Sequence, residues 1–376
     1  MIAGVVLLFF VGIRRRCDSH LIGIVCLYSA TCLLYGLLAG GFYGTWNLGY
    51  MKAAVVSVAL LPIICNPLLL KRFVFVNCWL GVLLVALNTV PLLHHLGYLD
   101  LPFEPIPRVG GGFGRPDLDP LSFGIFGRTE SYSQSSTGLP RLQGWSSEPL
   151  HWAYFVFMTL GFWALSYPSG ARWKQVIYLV PLPVIALHLW AIQSTTAKIV
   201  VVIFLAIFIG HELVRRFAGR LVTSWLFFSL VLGIGLIGPF MLASVDNVAH
   251  MIFSESMFSE GSNWRGKVEF LDLGLDLFTV FAPRLSDSTI ASHNLVLATY
   301  LQYGYLLLVP LLWLLFTLIK NVGYVPNTRH AIALILIVLN NTIAVEGNMF
   351  LAIGAMNYLI LYGWVRLDNP GWSKVT

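Results

Sequence analysis

Charge is what this 376-residue chain has least of: 23 Lys and Arg and 17 Asp and Glu, 11% of its residues, against 57% hydrophobic. So few ionised side chains cannot solvate the surface of a globule this size, which excludes an ordinary soluble enzyme. The apolar excess excludes a disordered chain. Cysteine is scarce too. Cys17, Cys26, Cys32, Cys65 and Cys78 form no CxxC and all precede residue 80. That excludes a disulfide scaffold and leaves buried apolar packing as their expected role. No histidine pair has an H-x-x-x-H or similar ligand spacing, so no zinc site is indicated. No Lys/Arg run has the aromatic interleaving of a single-strand binder, which removes nucleic acid as a partner despite a formal charge of +6.

What the chain has is long apolar runs. A helix needs about 20 such residues to cross a bilayer. Candidates lie near 2–13, 21–40, 50–69, 74–96, 150–168, 175–192, 198–214, 222–244, 294–318, 330–345 and 350–366. The expected fold class is therefore all-α, a polytopic helix bundle of about eleven membrane spans embedded in a lipid bilayer. The first run is short and is followed by Arg14-Arg15-Arg16 rather than a cleavage site. It reads as a retained, truncated helix and not a signal peptide; a full complement would be twelve. The expected organisation is N-terminal helices over 1–96, an external loop over 97–148, central helices over 149–244, a second external loop over 245–292, and C-terminal helices over 293–376.

Orientation follows from the basic residues. Arg14, Arg15, Arg16, Lys71, Arg72, Arg172, Lys174, Arg215, Arg216, Arg220, Lys320, Arg329, Arg366 and Lys374 fall on one side if the spans alternate, 14 of the 23 cations. Of the carboxylates only Asp18, Glu212 and Asp368 share that side, which is therefore cytoplasmic. The N-terminus is expected outside and the C-terminus inside. Seven of the remaining nine cations sit in the two external loops.

Those loops are where polar chemistry has room. Loop 97–148 is rich in Gly, Pro and Ser, and is expected to start irregularly and to be mobile in its middle. In loop 245–292 apolar residues recur at helical spacing from Trp264 to Phe281, with Arg265, Glu269, Asp272 and Asp276 on one stripe. This predicts a short amphipathic helix along the membrane surface. The loop closes on Ser292-His293-Asn294, and a span begins at once. A titratable group at the mouth of a transmembrane helix faces protein or water, and imidazole suits proton transfer near neutral pH. His94, His95, His151 and His188 are read as histidines without a role, as are the other four.

His293-Asn294, nine residues, then Gly304 resembles the H-[N/S/Q]-x9-G signature of the bacterial O-antigen ligase and O-antigen polymerase superfamily. Arg141-x-x-Gly144-x-x-x-x-Pro149 is similar to that family's R-x-x-G-x-x-x-x-P-N element. Gln193 to Lys198 resembles its outer S-R-x-A turn, and Asn263-Trp264-Arg265 stands where its second arginine is expected. The resemblance spans about 140–320. It departs at Leu150 in place of Asn, Thr195 in place of Arg, Leu307 in place of a small residue or Tyr, and Phe281-Ala282-Pro283-Arg284 in place of a Gly-rich stretch.

The resemblance implies a GT-C-like membrane glycosyltransferase in the bacterial inner membrane, working from the periplasmic face on undecaprenyl-pyrophosphate-linked glycans. It implies His293 as general base, with Arg141 and Arg265 on the donor pyrophosphate. Lys198 would assist on phosphate, Glu148 would orient an arginine or bind sugar, and Gly144 and Asn294 complete the motifs. No cofactor or metal is needed, because the lipid pyrophosphate already activates the sugar. A chain-length regulator is a further candidate partner. Two comparably long loops and the departures favour a polymerase over the alternative, a ligase acting on lipid A-core or protein. Asp117-Leu118-Asp119 offers a metal-dependent variant. The reading from a different class is a polysaccharide or lipid transporter without catalysis; it lacks support from any internal repeat.

Overall fold

The computed structural model describes residues 19–43, 48–106, 120–130, 141–145, 149–168, 172–192, 307–318 and 351–368, with isolated helical positions between 201 and 229 and at 333, 336 and 337. Helices dominate. They are α1 (Ser19–Tyr43), α2 (Leu48–Ile64), α3 (Pro67–Leu87), α4 (Thr89–His95), α5 (Pro149–Ser166), α6 (Arg172–Leu179), α7 (Pro181–Ala191), α8 (Leu307–Leu318) and α9 (Leu351–Asp368). Among the described residues three stretches are long and apolar enough to cross a membrane: Ser19–Leu37, Pro67–His95 and Arg172–Ala191. The expected second to sixth spans and the eleventh are occupied by helix. The first span, and most of the seventh, eighth and tenth, lie outside the described residues.

Two boundaries differ from the hydropathy reading. The third span was expected to run to Leu69, with Lys71-Arg72 in the connection to the fourth. Instead the chain turns at Cys65-Asn66 and α3 starts at Pro67. The cause is local: Asn66 Oδ1 accepts hydrogen bonds from the backbone N–H of Leu68 (3.0 Å) and Leu69 (3.3 Å). Proline, which has no N–H to lose, follows as the first helical residue. Lys71 and Arg72 are therefore exposed residues of the opening turns of α3 rather than of a connecting loop. The sixth span is likewise two helices, because Pro181 opens α7 after α6 has ended at Leu179.

The helices meet through small residues, as expected where lipid supplies no hydrophobic drive and close backbone approach must. A Cβ on Gly81 of α3 would sit 2.5 Å from Thr159 Oγ1 of α5, and one on Gly363 of α9 would sit 2.7 Å from Ile64 Cγ2 of α2. Polar cross-links also join the helices. Asn357 Nδ2 of α9 donates to the Tyr154 hydroxyl of α5 at 2.7 Å, and both residues are buried. Trp163 Nε1 of α5 donates to the Tyr178 carbonyl of α6 at 2.7 Å. Cys32 and Cys78 are buried free thiols, as the packing role predicts, and Cys26 is free and half-buried. Cys65 departs from that role, since its sulfur is in a disulfide.

The all-α expectation fails outside the helices. Between α4 and α5 the chain forms a four-stranded antiparallel sheet in the order β1 (Glu104–Pro105), β2 (Pro120–Ser122), β3 (Arg128–Glu130) and β4 (Leu142–Gly144). Leu121 pairs with Thr129 in the β2–β3 hairpin, and Thr129 pairs with Leu142 across a bulge at Arg128/Thr129. Strands of two or three residues are unstable alone, so this sheet depends on what lies beneath it. Phe123 packs its ring against His94 (5.2 Å between centroids), His95 (5.6 Å) and Phe103 (5.7 Å). Phe123 is buried, and the sheet rests on α4 through this aromatic cluster and on α5 through β4. Residues 107–119 and 131–140 of the loop, with Asp117 and Asp119 among them, lie outside the described residues, as does the predicted amphipathic helix at 264–281.

Candidate active site at the N-terminal end of α5

β4 carries the first of the motif elements. Arg141 immediately precedes the strand and is half-buried; Leu142, Gln143 and Gly144 are buried, and Gln143 has no exposed surface. Gly144 adopts φ +60°, which side-chain-bearing residues adopt only at a cost. Space reinforces that demand: a Cβ on Gly144 would fall inside the indole of Trp152, on the first turn of α5. Glycine is therefore required here by both torsion and packing. Gly144→Ala is expected to destabilise the protein by at least about 1–3 kcal/mol, the usual cost of forcing a methyl into a packed site. A fall in the thermal unfolding midpoint of the purified protein would register it, and an unchanged midpoint would contradict the packing.

Trp145, the next residue, is nearly half exposed, and its indole Nε1 donates to the Ile125 carbonyl at 3.0 Å. This ties the end of β4 to the tip of the β2–β3 hairpin. On the opposite flank, Thr129 of β3 is fully buried and its hydroxyl is 2.9 Å from His95 Nε2. His94 Nδ1 accepts the backbone N–H of Leu101 at 3.1 Å, which assigns the ring proton of a neutral His94 to Nε2. The two histidines at the C-terminus of α4 thus hold the sheet and the chain leading into it. Histidines that the sequence leaves without a role therefore have a structural one.

Beneath β4 lies a second polar arrangement. Trp152 Nε1 donates to His188 Nδ1 at 3.1 Å, and His188 Nε2 is 2.9 Å from the Thr89 hydroxyl, which is 3.2 Å from the Val85 carbonyl. Indole N–H only donates, so Nδ1 must accept and Nε2 must carry the proton. The hydroxyl of Thr89 accepts that N–H and donates its own hydrogen bond to the Val85 carbonyl. His188 has no exposed surface, and the chain joins α7, α5, α4 and α3 in apolar surroundings with each group given a partner. An isolated histidine in an apolar helix is a signal for such partners; the partners themselves, Trp152 and Thr89, are 36 and 99 residues away and no spacing marks them.

Of the residues singled out from the sequence, Gly144 ends β4 and Arg141 immediately precedes it, next to the N-terminal end of α5. Glu148, Lys198, Arg265, His293 and Asn294 lie outside the described residues. Among the described residues no group of three His, Cys, Asp or Glu is arranged to hold a metal ion. No family model matches the chain, and no curated protein or solved structure matches it either. The family resemblance therefore rests on the motif residues themselves.

Proposed function

We propose that the chain is a membrane glycosyltransferase that polymerises undecaprenyl-pyrophosphate-linked oligosaccharide repeats into a surface polysaccharide, in the bacterial inner membrane with its active site facing the periplasm. The observation that carries this reading is the order along the chain of Arg141, the Gln193–Lys198 turn, Arg265 and His293-Asn294, all in segments assigned by charge to the outer face. The chemistry follows from the residue types. A donor glycan leaves with its pyrophosphate, and negative charge grows on the phosphate oxygens as the anomeric C–O bond breaks. Guanidinium groups stay ionised and match phosphate with a planar fork, so Arg141 and Arg265 would stabilise that charge, with Lys198 assisting.

His293 would take the proton of an acceptor sugar hydroxyl as its oxygen forms the new bond to the anomeric carbon. The bonding pair of the old C–O bond leaves with undecaprenyl pyrophosphate. One displacement inverts the anomeric centre. Neither nucleotide nor metal enters the balance, because the leaving group is already activated.

The ligase reading shares this chemistry and differs only in acceptor; the departures at Leu150, Thr195 and Leu307 favour the polymerase. The glycan phenotype of a strain lacking the protein tests the assignment. Single repeats capped on the final acceptor are the expected result. Long chains retained on undecaprenyl pyrophosphate would identify a ligase, and lipid-linked repeats trapped on the cytoplasmic side would identify a transporter.

A further inference from the structure

We propose that His188 is a positioning residue: through Trp152 it fixes the seat of β4, and with it the place of Arg141. The inference about Arg141 in catalysis rests on the proposed glycan transfer; the inference about β4 does not. Trp152 fills the volume directly under Gly144, so the height of β4 above the helix bundle is set by where that indole lies. The indole is held from its other side. Its N–H ends on His188 Nδ1, and His188 is braced by Thr89, so the ring is located by α7 and α4 as well as by its own helix. Trp152 also stacks on Phe155 with centroids 5.0 Å apart and an interplanar angle of 12°, which limits tilting. β4 is three residues long, and its Gly144 and Leu142 pair with Arg128 and Thr129. A strand this short moves as a unit, so a displaced indole shifts Arg141 at its start.

The two ring nitrogens separate positioning from bulk packing. Asn at 188 presents an acceptor near the place of Nδ1 and can still take the Trp152 N–H. Gln presents its amide near the place of Nε2, keeping the Thr89 contact while leaving Trp152 without an acceptor. Amide hydrogen exchange of residues 142–144, read on the full chain in lipid nanodiscs, should accelerate about 10- to 100-fold in His188→Leu and His188→Gln, the size expected when a buried donor loses its partner. His188→Asn should restore protection to near the wild-type level. If the Leu variant does not fold, the Asn and Gln variants decide between themselves. Equal behaviour of that pair, intact or impaired, overturns the inference.

Transfer kinetics provide the second readout. His188→Gln should lower kcat about tenfold with KM changed less than about twofold, because an arginine aimed at the transition state is displaced while ground-state binding persists. Exchange that follows the Asn–Gln pattern, with kcat unaffected in a protein where Arg141→Ala abolishes transfer, would overturn the link to Arg141. If Arg141→Ala leaves transfer intact, the glycosyltransferase role of Arg141 fails, and the seating of β4 still stands or falls on exchange alone.

Discussion

His293→Ala is expected to lower the rate of glycan transfer by roughly 10²–10⁴, the range over which a positioned general base contributes. The acceptor hydroxyl is a poor nucleophile with its proton in place, and water cannot replace a base aligned to remove it. KM for the lipid-linked donor should change little, since in the proposed mechanism His293 meets the acceptor oxygen and not the pyrophosphate. His293→Gln can still hydrogen-bond but cannot take the proton, so it should be nearly as slow as the Ala variant. Retention of the proposed activity by either variant in a reconstituted assay, at wild-type protein levels, would remove His293 from the chemistry. Surface polysaccharide made at full length in cells carrying His293→Ala would say the same.

Arg141→Ala is expected to cost about 10²–10³ in kcat, the loss seen when one preorganised group is taken from a developing negative charge. Arg141→Lys should recover only part of it, because ammonium is a point charge and lacks the planar fork. The location of Arg141 matters to this expectation. It is half-buried at the start of a strand whose remaining residues are buried and whose last residue is locked over Trp152. A charge held next to so restrained a strand would need little reorganisation as the proposed pyrophosphate leaves, and that preorganisation is the reason a large effect is expected. An Arg141→Ala protein with wild-type kcat and a raised KM would instead assign this side chain to uniform substrate binding.

Much of this architecture could be read from the chain before any coordinates. Scarce charge and runs of apolar residues placed helices over the second to sixth spans and the eleventh, because periodicity and length are strong signals for elements of this size. The start of α3 was not read from the sequence, because an apolar run continues past Asn66-Pro67, where a side-chain cap and a proline open the next helix. The sheet was not legible. Its strands are two or three residues long and two of the four contain proline, Pro105 and Pro120, so no alternation is long enough to register.

The candidate site divides in the same way. Arg141 and Gly144 stood out by motif, and the torsion and packing of Gly144 give that motif a physical reason. Trp152, His188 and Thr89 did not stand out, because their relation is made by three helices coming together and leaves no mark on any one segment.

The central claim is that a lipid-linked glycan is transferred to a sugar hydroxyl at the outer face of the membrane. Purified protein in proteoliposomes, given undecaprenyl-pyrophosphate-linked repeats without nucleotide sugar and with a metal chelator present, tests it most directly. The account predicts a ladder of lengthening lipid-linked chains, release of undecaprenyl pyrophosphate, and inversion at the new linkage, all lost in His293→Ala. Folded wild-type protein that leaves the repeats at their original length while moving them across the bilayer would contradict it.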